Sequence, residues 1–240
     1  MDNEKGKIGW EDFDIISFLG RGNLGEVFVG ELQNDLFETG KTRYAIKRML
    51  KEEVKKKKES ASIIREKNIM KNVKSPFLNV LYSVFRDETY YYMVMELAKE
   101  GDVYSLIKLS SPRQPLFKKL GEEGVRFVLG CVILALEHLH SRNIAYWDLK
   151  PENILIFEDG YIKLSDFGAS RQLNKGQKYY SSNGTPLYFA PEVAYKQDCG
   201  KELDLWTLGV LAYELSNFAA PFQLKYIMNL KVFKVMVQSD

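Results

Sequence analysis

The sequence predicts an α+β protein with two lobes, a small strand-rich lobe followed by a larger helical one. Short segments that alternate apolar and polar residues, typical of strands, occur up to about residue 97. From about residue 103 onward, apolar residues recur at helical spacing instead. The chain has 240 residues, of which 45% are apolar, enough to bury a core in one domain or in two small lobes.

In the first lobe, strands are predicted within residues 13–30, 42–50 and 90–97. Residues 13–30 alternate around a glycine cluster, and the other two segments are rich in Tyr, Met and Val. The intervening residues 52–73 are polar, but four side chains fit a helical stripe, with Glu66 on a nearby face: Ile63, Ile64, Met70 and Val73. The sequence therefore predicts one helix against a small sheet.

In the second lobe, a long helix is predicted over residues 121–139, and it begins with Gly121-Glu122-Glu123. Two short apolar segments then follow, Ile154–Phe157 and Tyr161–Leu164, separated by a turn that contains Asp159-Gly160. An Asp-Gly pair between apolar segments is a strong signal for a hairpin. Asp166 lies just beyond this predicted hairpin.

The composition argues against several classes of protein. Thirty-four basic residues against 32 acidic ones give a formal charge of +2, so no nucleic-acid partner is expected. Cys131 and Cys199 are too few and too far apart for a disulfide framework or a thiolate metal site, which favours a reducing compartment. The N-terminus lacks the apolar stretch of a signal peptide, and no run approaches the roughly 20 apolar residues of a membrane span. The expected location is the cytoplasm, with the nucleus as the alternative, and no membrane partner is expected.

A glycine pattern and a lysine in the first lobe point to phosphate binding. Residues Gly20–Val27 read GxGxxGxV, in which missing side chains let backbone amides approach phosphate oxygens. A glycine-rich hairpin without a ligand is the alternative, and a strand follows where a dinucleotide-binding fold needs a helix. Lys47 ends the apolar segment Tyr44–Ile46, where an ammonium is costly unless an anion neutralises it. Phosphate oxygens would do so, with Glu66 holding the lysine in place.

The segment Tyr146–Asn153 carries the residues expected to perform phosphoryl transfer. Asp148 and Asn153 are five residues apart on a predicted loop, so the carboxylate can orient a hydroxyl while the amide holds a metal. Lys150 would lie near the transferring phosphoryl group. Asp166 supplies a second oxygen ligand, and together with Asn153 it suits Mg²⁺, which is usually held by one or two carboxylates and substrate phosphates.

The ordered motifs resemble the eukaryotic protein kinases over about residues 13–237. Lys150 and Thr185 are typical of the Ser/Thr type, and other segments look like the AGC group near the cyclic-nucleotide-dependent kinases. The resemblance implies a kinase domain at 13–240, with an N-lobe at about 13–97 and a C-lobe at about 98–240, after an N-terminal extension at 1–12. The motifs that carry it are GxGxxGxV, Ala45-Ile46-Lys47, Asp148-Leu149-Lys150-Pro151-Glu152-Asn153, Asp166-Phe167-Gly168, Ala190-Pro191-Glu192 and Asp204-x-Trp206-x-x-Gly209.

The resemblance also implies a role for each matching residue. Lys47 would contact the ATP phosphates and pair with Glu66, and Asp148 would accept the proton of the substrate hydroxyl, with Lys150 beside it. Asn153 and Asp166 would hold Mg²⁺. The implied ATP-binding positions are Gly20, Arg21, Gly22, Asn23, Leu24, Gly25, Val27, Ala45, Lys47, Met95, Glu96, Ala98, Asp102 and Leu155.

The resemblance suggests which protein substrates are favoured. In basophilic members of the group, acidic residues that match Asp102, Glu152 and Glu214 face arginines upstream of the target hydroxyl. The hypothesis is therefore a protein substrate with an arginine before its Ser or Thr. The alternative is that Glu152 and Glu214 are ordinary solvated carboxylates.

Trp147 departs from the family pattern. It stands where most family members carry an arginine that clamps a phosphate on the activation loop. Indole has one donor and no charge, so this clamp is lost. Ser181 is the candidate phosphosite by position, and its phosphorylation is expected to be weakly coupled to activity.

The end of the sequence is a second departure. The last helices of a kinase domain are absent from the sequence, so the C-lobe is expected to be truncated. The apolar residues between 218 and 237 would then lack cover, which favours either aggregation or a regulatory partner that covers them. A fragment, a truncated isoform and a degenerate family member all fit.

Two other functions compete with an active kinase. One is a pseudokinase, a module that binds ATP or partners without turnover, but such proteins generally lose residues that match Lys47, Asp148 or Asp166, and this chain keeps all three. The other is a small-molecule phosphotransferase, which is disfavoured because residues 184–192 suit an extended peptide. An active Ser/Thr kinase using ATP and Mg²⁺ is the favoured prediction.

Overall fold

The computed structural model describes residues 8–22, 24–32, 37–109, 117–177, 179–180, 186–217 and 219–222. The chain divides into two compact units. The first comprises Met1–Lys74 and Asn79–Ala98, and the second comprises Ser75–Leu78 and Lys99–Asp240. The apolar stretch at residues 218–237 lies almost wholly outside the described residues, and so does the surface that a partner was expected to cover.

The first unit is built on a five-stranded antiparallel sheet in the order β1-β2-β3-β5-β4. One face of the sheet covers an aromatic-rich core that includes Tyr44, Ile46 and Tyr92. In the central strand, Lys47 lies opposite Val27 on one side and Met93 on the other. The strands are β1 (Phe13–Arg21), β2 (Glu26–Leu32), β3 (Arg43–Leu50), β4 (Leu81–Arg86) and β5 (Tyr90–Glu96).

Two helices, rather than the single helix predicted over residues 52–73, lie between β3 and β4. They are α1 (Lys51–Lys56) and α2 (Ser60–Asn72). The chain turns between them at Lys58, whose φ of 58° lies in the left-handed region and ends α1. The predicted stripe is also only partly correct, because Met70 is buried whereas Ile64 is 54% exposed.

The second unit is mainly helical. Its helices are α3 (Val103–Leu109), α4 (Phe117–His140), α5 (Pro191–Ala194) and α6 (Glu202–Asn217). Helix α4 begins before the predicted opening at Gly121, which has φ 51° and ψ −170° and interrupts the helical backbone. Beyond it the predicted apolar face is buried, as at Val132, Ala135 and Leu139.

Two short strand pairs complete the second unit. Strands β7 (Ile154–Ile156) and β8 (Ile162–Leu164) pair antiparallel and form the predicted hairpin, and β6 (Ile144–Ala145) pairs with β9 (Arg171–Gln172). The prediction of a small strand-rich part followed by a larger helical part is confirmed. Among the described residues, no helix is both long enough and apolar enough to span a membrane.

Candidate active site

The glycine pattern forms the hairpin between β1 and β2. The Gly22 amide donates to the Gly25 carbonyl across the turn at 2.8 Å. A Cβ added at Gly25 would overlap the Arg48 carbonyl oxygen, so this glycine is required by close packing against β3. A Cβ added at Gly20 would meet no other atom within 4 Å, and Gly22 is exposed, so neither position is closely packed as Gly25 is. Asn23 lies outside the described residues.

An ion cluster fastens the base of this hairpin. Glu26 accepts from Arg21 at 2.7 Å and from Arg48 at 2.8 Å, and these two arginines, Arg48 first, lower the pKa of Glu26. The Arg48 guanidinium also lies over the rings of Trp10 and Phe28, at 5.2 and 4.7 Å from their centroids. Arg21, an expected ATP contact, is therefore already engaged with Glu26. Leu24 is half-buried in the turn.

Lys47 and Glu66 form an ion pair inside the first unit. The Lys47 ammonium donates to both carboxylate oxygens, at 2.8 and 2.9 Å. The Glu66 side chain is 2% exposed and that of Lys47 is 15% exposed, so the ion pair is largely removed from water. It joins β3 to α2. The position of this buried ammonium is one where an anionic ligand would be favoured.

The predicted adenine-contact residues of the first unit lie around β3. Ala45 pairs with Met95 on β5, and Val27 pairs with Lys47, so these apolar residues adjoin the lysine in the sheet. Glu96 is buried and its carboxylate accepts from the Lys41 ammonium at 2.6 Å. Its side chain is thus committed, and only its backbone can serve a ligand. Ala98 ends the first unit.

Asp148, Lys150 and Asn153 form one cluster in the second unit. The Lys150 ammonium lies 3.0 and 2.9 Å from the two Asp148 carboxylate oxygens. The Asn153 amide nitrogen donates to the backbone carbonyl of Asp148 and to its Oδ2, both at 2.8 Å. The short 3₁₀ helix Pro151–Asn153 turns Asn153 back towards Asp148. Because the amide nitrogen faces Asp148, the amide oxygen is the atom that would coordinate a cation.

The Asp148 carboxyl has a raised pKa. Burial is the main cause, opposed by the charge and hydrogen bond of Lys150, while the negative charge of Asp166 raises the pKa further. Asp166 therefore lies close enough to Asp148 to act on it electrostatically. A carboxylate with a raised pKa is a better proton acceptor than an ordinary aspartate.

The Asp166 backbone is held in an uncommon conformation. Its φ of 53° is in the left-handed region, and its Oδ1 accepts from the Gly168 amide at 3.3 Å. Phe167 is 1% exposed, and its ring lies edge-on to that of the buried Tyr146 at 5.6 Å. Burial of Phe167 thus fixes the direction of its exposed neighbour Asp166.

Asn153 and Asp166 are the residues expected to hold a magnesium ion. No group of three or more His, Cys, Asp or Glu side chains among the described residues could hold a metal ion. Asn153 and Asp166 together supply one amide oxygen and one carboxylate. Mg²⁺ commonly binds through one or two carboxylates, with phosphate oxygens and water completing its shell.

Asp204 anchors the loop that carries Asp148, a role that the sequence analysis missed. Its carboxylate is fully buried and accepts from the amides of Tyr146 and Trp147 at 2.8 and 2.7 Å. It also lies 2.7 Å from His140 Nε2. Because these partners come from α4 and from the loop, one carboxylate on α6 fixes the backbone just before Asp148. Only the motif containing Asp204 was visible in the sequence.

The carboxylates that are expected to bind the protein substrate lie in two different environments. Glu214 contacts the Tyr188 hydroxyl, and its pKa is raised mainly by burial and further by the charge of Glu152, so these two glutamates form one acidic region. Asp102 has a different environment: its Oδ1 accepts from the Ser105 amide at 2.6 Å at the start of α3, and its backbone bridges to Leu155. Ser181 lies outside the described residues.

Comparison with known proteins identifies the family. The family model of the protein kinase domain matches residues 13–239. The chain belongs to the protein kinase family. Its curated relatives are Ser/Thr kinases of the AGC group, as the resemblance predicted.

Three relatives illustrate this similarity. The chain is 35% identical to cGMP-dependent protein kinase isozyme 1 of Drosophila melanogaster, over 88% of the chain and 26% of the relative. It is 35% identical to RAC-beta serine/threonine-protein kinase B of Xenopus laevis, over 92% of the chain and 44% of that protein. It is 34% identical to the cAMP-dependent protein kinase catalytic subunit of Arthrobotrys oligospora, over 91% of the chain and 39% of that protein. The kinase domain thus spans less than half the length of each relative.

Proposed function

We propose that residues 13–240 form a Ser/Thr protein kinase domain that transfers the γ-phosphoryl group of ATP to a protein hydroxyl. The observation that carries this proposal is the cluster of Asp148, Lys150 and Asn153, with Asp166 close enough to raise the pKa of Asp148. Membership of the protein kinase family supports it.

Each charged residue of the cluster has a task in this reaction. Asp148 orients the Ser or Thr hydroxyl and accepts its proton as the oxygen bonds to the γ-phosphorus. The bond between the γ-phosphorus and the β–γ bridging oxygen breaks, and ADP leaves with that oxygen. The Lys150 ammonium, already beside Asp148, stabilises negative charge on the transferring group.

ATP would be held by residues of the glycine hairpin and by Lys47. Backbone groups of the glycine hairpin would contact phosphate oxygens, and Glu66 keeps the Lys47 ammonium in one orientation. Bound Mg²⁺, held by Asn153 and Asp166, would neutralise phosphate charge. Val27, Ala45, Met95 and Leu155 would provide apolar contacts to the base, with backbone groups of Glu96 and Ala98 as hydrogen-bonding partners and Asp102 on the ribose side.

We also propose a preference for substrates with arginine before the target Ser or Thr. Glu152 and Glu214 share one acidic region, in which burial, and then repulsion by the charge of Glu152, raises the pKa of Glu214. A guanidinium bound there would relieve that repulsion and could form a bidentate pair with a carboxylate. This favours a basic peptide over two independent solvated carboxylates.

The decisive experiment measures phosphate transfer from MgATP to a Ser peptide with upstream arginines. The wild-type chain is compared with Asp148→Ala and Asp166→Ala. We expect transfer by the wild type and almost none by either variant. Equal signals from all three proteins would reveal a contaminating kinase. Intact MgATP binding without transfer by the wild type would instead favour a pseudokinase.

A second assay tests the arginine preference alone. Glu214→Gln should raise the KM of the arginine peptide about tenfold, the equivalent of about 1.4 kcal/mol. It should leave the KM of a peptide with alanine at the arginine positions unchanged. Glu158→Gln is the matched control, since that exposed glutamate pairs with Lys99 elsewhere in the unit. An equal KM for both peptides with the wild type would refute the preference.

A further inference from the structure

Trp147, the residue that departs from the family pattern, is buried rather than exposed beside the catalytic loop. Only 4% of its surface is accessible. Its φ of 66° is unfavourable for a bulky side chain, so surrounding contacts must hold it there. One of them is the hydrogen bond from its amide to Asp204 Oδ1 at 2.7 Å.

The indole contacts the chain on both sides of residues 181–185. Before that stretch, the Tyr179 ring lies edge-on at 6.4 Å and the Arg171 guanidinium lies over the indole at 5.8 Å. After it, the indole Nε1 donates to the Gly200 carbonyl at 2.8 Å. One side chain therefore connects the residue next to Asp148 with two separated parts of the segment that follows Asp166.

The pocket around the indole is apolar and already contains a positive charge. Its buried members include Ala145, Ala190, Val193, Cys199 and Leu203. The indole satisfies its single donor there and needs no anion. An arginine at position 147 would put a second guanidinium beside Arg171, and two like charges in an apolar pocket require an anion such as a phosphate to neutralise them.

We propose that Trp147 is a positioning residue that fixes the segment after Asp166 to the catalytic loop, in place of a phosphate. This inference rests on the proposed kinase function and concerns its regulation. It implies that the segment keeps its position without phosphorylation. Because phosphoryl transfer depends on positioning, loss of the indole should lower kcat more than it changes the KM of ATP.

Hydrogen exchange and kinetics of Trp147 variants test this proposal. Trp147→Ala should increase the exchange rates of amides in residues 171–179 and lower kcat about a hundredfold, with the ATP KM within about twofold of wild type. Trp147→Phe keeps the ring and loses one hydrogen bond, so kcat should fall no more than about fivefold. Leu203→Ala is the control, because it opens a cavity in the same pocket without removing the indole contacts. An equal effect of Leu203→Ala on kcat and exchange would show that pocket packing alone matters, and would overturn the proposal.

Phosphatase treatment provides a test that does not depend on folding of the variants. Treated wild-type protein should keep its exchange pattern and its rate of transfer. Faster exchange of residues 171–179 after treatment would overturn the inference, whether or not the chain transfers phosphate. Absence of transfer with slow exchange in these residues would count against the proposed function and leave the role of Trp147 standing.

Discussion

Each of the two units contains a lysine–carboxylate pair, and the two pairs are built in different ways. Lys47 and Glu66 are 19 residues apart and join a strand to a helix, and the glutamate is almost fully buried. Lys150 and Asp148 are two residues apart in one loop, and both keep some contact with water. The first pair therefore depends on tertiary packing and should contribute to stability. The second can change its chemistry without changing the fold.

The largest expected effect is a loss of catalysis when Asp148 of the Asp148–Lys150 pair is changed. Asp148→Asn removes the proton acceptor, and kcat should fall about a thousandfold, within the range attributed to general bases. The free energy of unfolding should stay the same or rise slightly. The raised pKa means that the folded chain favours the protonated carboxyl over the ionised one. The stabilisation from the protonated form is lost as pH rises through that pKa. Transfer assays and denaturant unfolding measure the two quantities.

Asp159→Asn is the matched control for this prediction. Asp159 lies in the exposed hairpin turn, where its Oδ1 accepts from the Tyr161 amide, a contact that asparagine can also make. Its kcat should equal that of wild type. A loss below tenfold for Asp148→Asn would remove Asp148 from the role of base.

For the Lys47–Glu66 pair, a mutation should affect stability more than catalysis. Glu66→Gln removes a buried carboxylate charge that faces the Lys47 ammonium, so the free energy of unfolding should fall by about 3 kcal/mol. The KM of ATP should rise roughly tenfold because Lys47 loses its fixed orientation, equivalent to about 1.4 kcal/mol. Denaturant unfolding and the ATP dependence of transfer measure these changes.

An exposed ion pair of the same sheet is the control for Glu66→Gln. Arg43 and Glu31 lie 3.1 Å apart with 50% and 33% of their side chains exposed. Glu31→Gln should therefore cost less than about 1 kcal/mol. If the two glutamine variants are equally stable, the buried pair has no special role in the fold.

The same contrast explains what the sequence could predict. Asp148, Lys150 and Asn153 lie within six residues, so a local pattern suffices to place them together. Asp204 accepts hydrogen bonds from residues about 60 positions away, and no local spacing reveals such contacts. The predicted strands and the predicted hairpin agree with the structure because their signals are local as well, whereas β4 was not predicted.

The errors in the helices have a similar physical origin. The break at Lys58 falls in a run of lysines, where a polar sequence carries no periodic signal to mark the end of one helix and the start of another. The predicted opening at Gly121 agrees with the structure, because the non-helical backbone of this glycine separates the predicted helix from a helical segment before it. That preceding segment was not predicted.

Removing the Lys150 charge beside Asp148 should have a smaller effect, on the pH dependence of kcat/KM. Asp148 must be ionised to accept a proton, so kcat/KM falls as pH drops through its pKa. Lys150 lowers that pKa, and Lys150→Met should raise it and move the acid limb of the pH profile to higher pH. Lys163→Met on β8 should leave the limb in place. An unchanged limb in Lys150→Met would mean that another group controls the acid side.

The smallest expected effect concerns Ser181, where the chain lacks the arginine that would bind a phosphorylated loop. Ser181→Ala should change kcat by no more than a few-fold, because Trp147 has no positive charge and cannot form an ion pair with a phosphate on Ser181. Steady-state transfer by the variant and by wild type, with Ser182→Ala as the neighbouring control, measures this. A hundredfold drop in Ser181→Ala alone, roughly 2.7 kcal/mol of barrier, would show that another cation recovers the missing clamp. Arg171, which lies over the Trp147 ring, would then be the first residue to test.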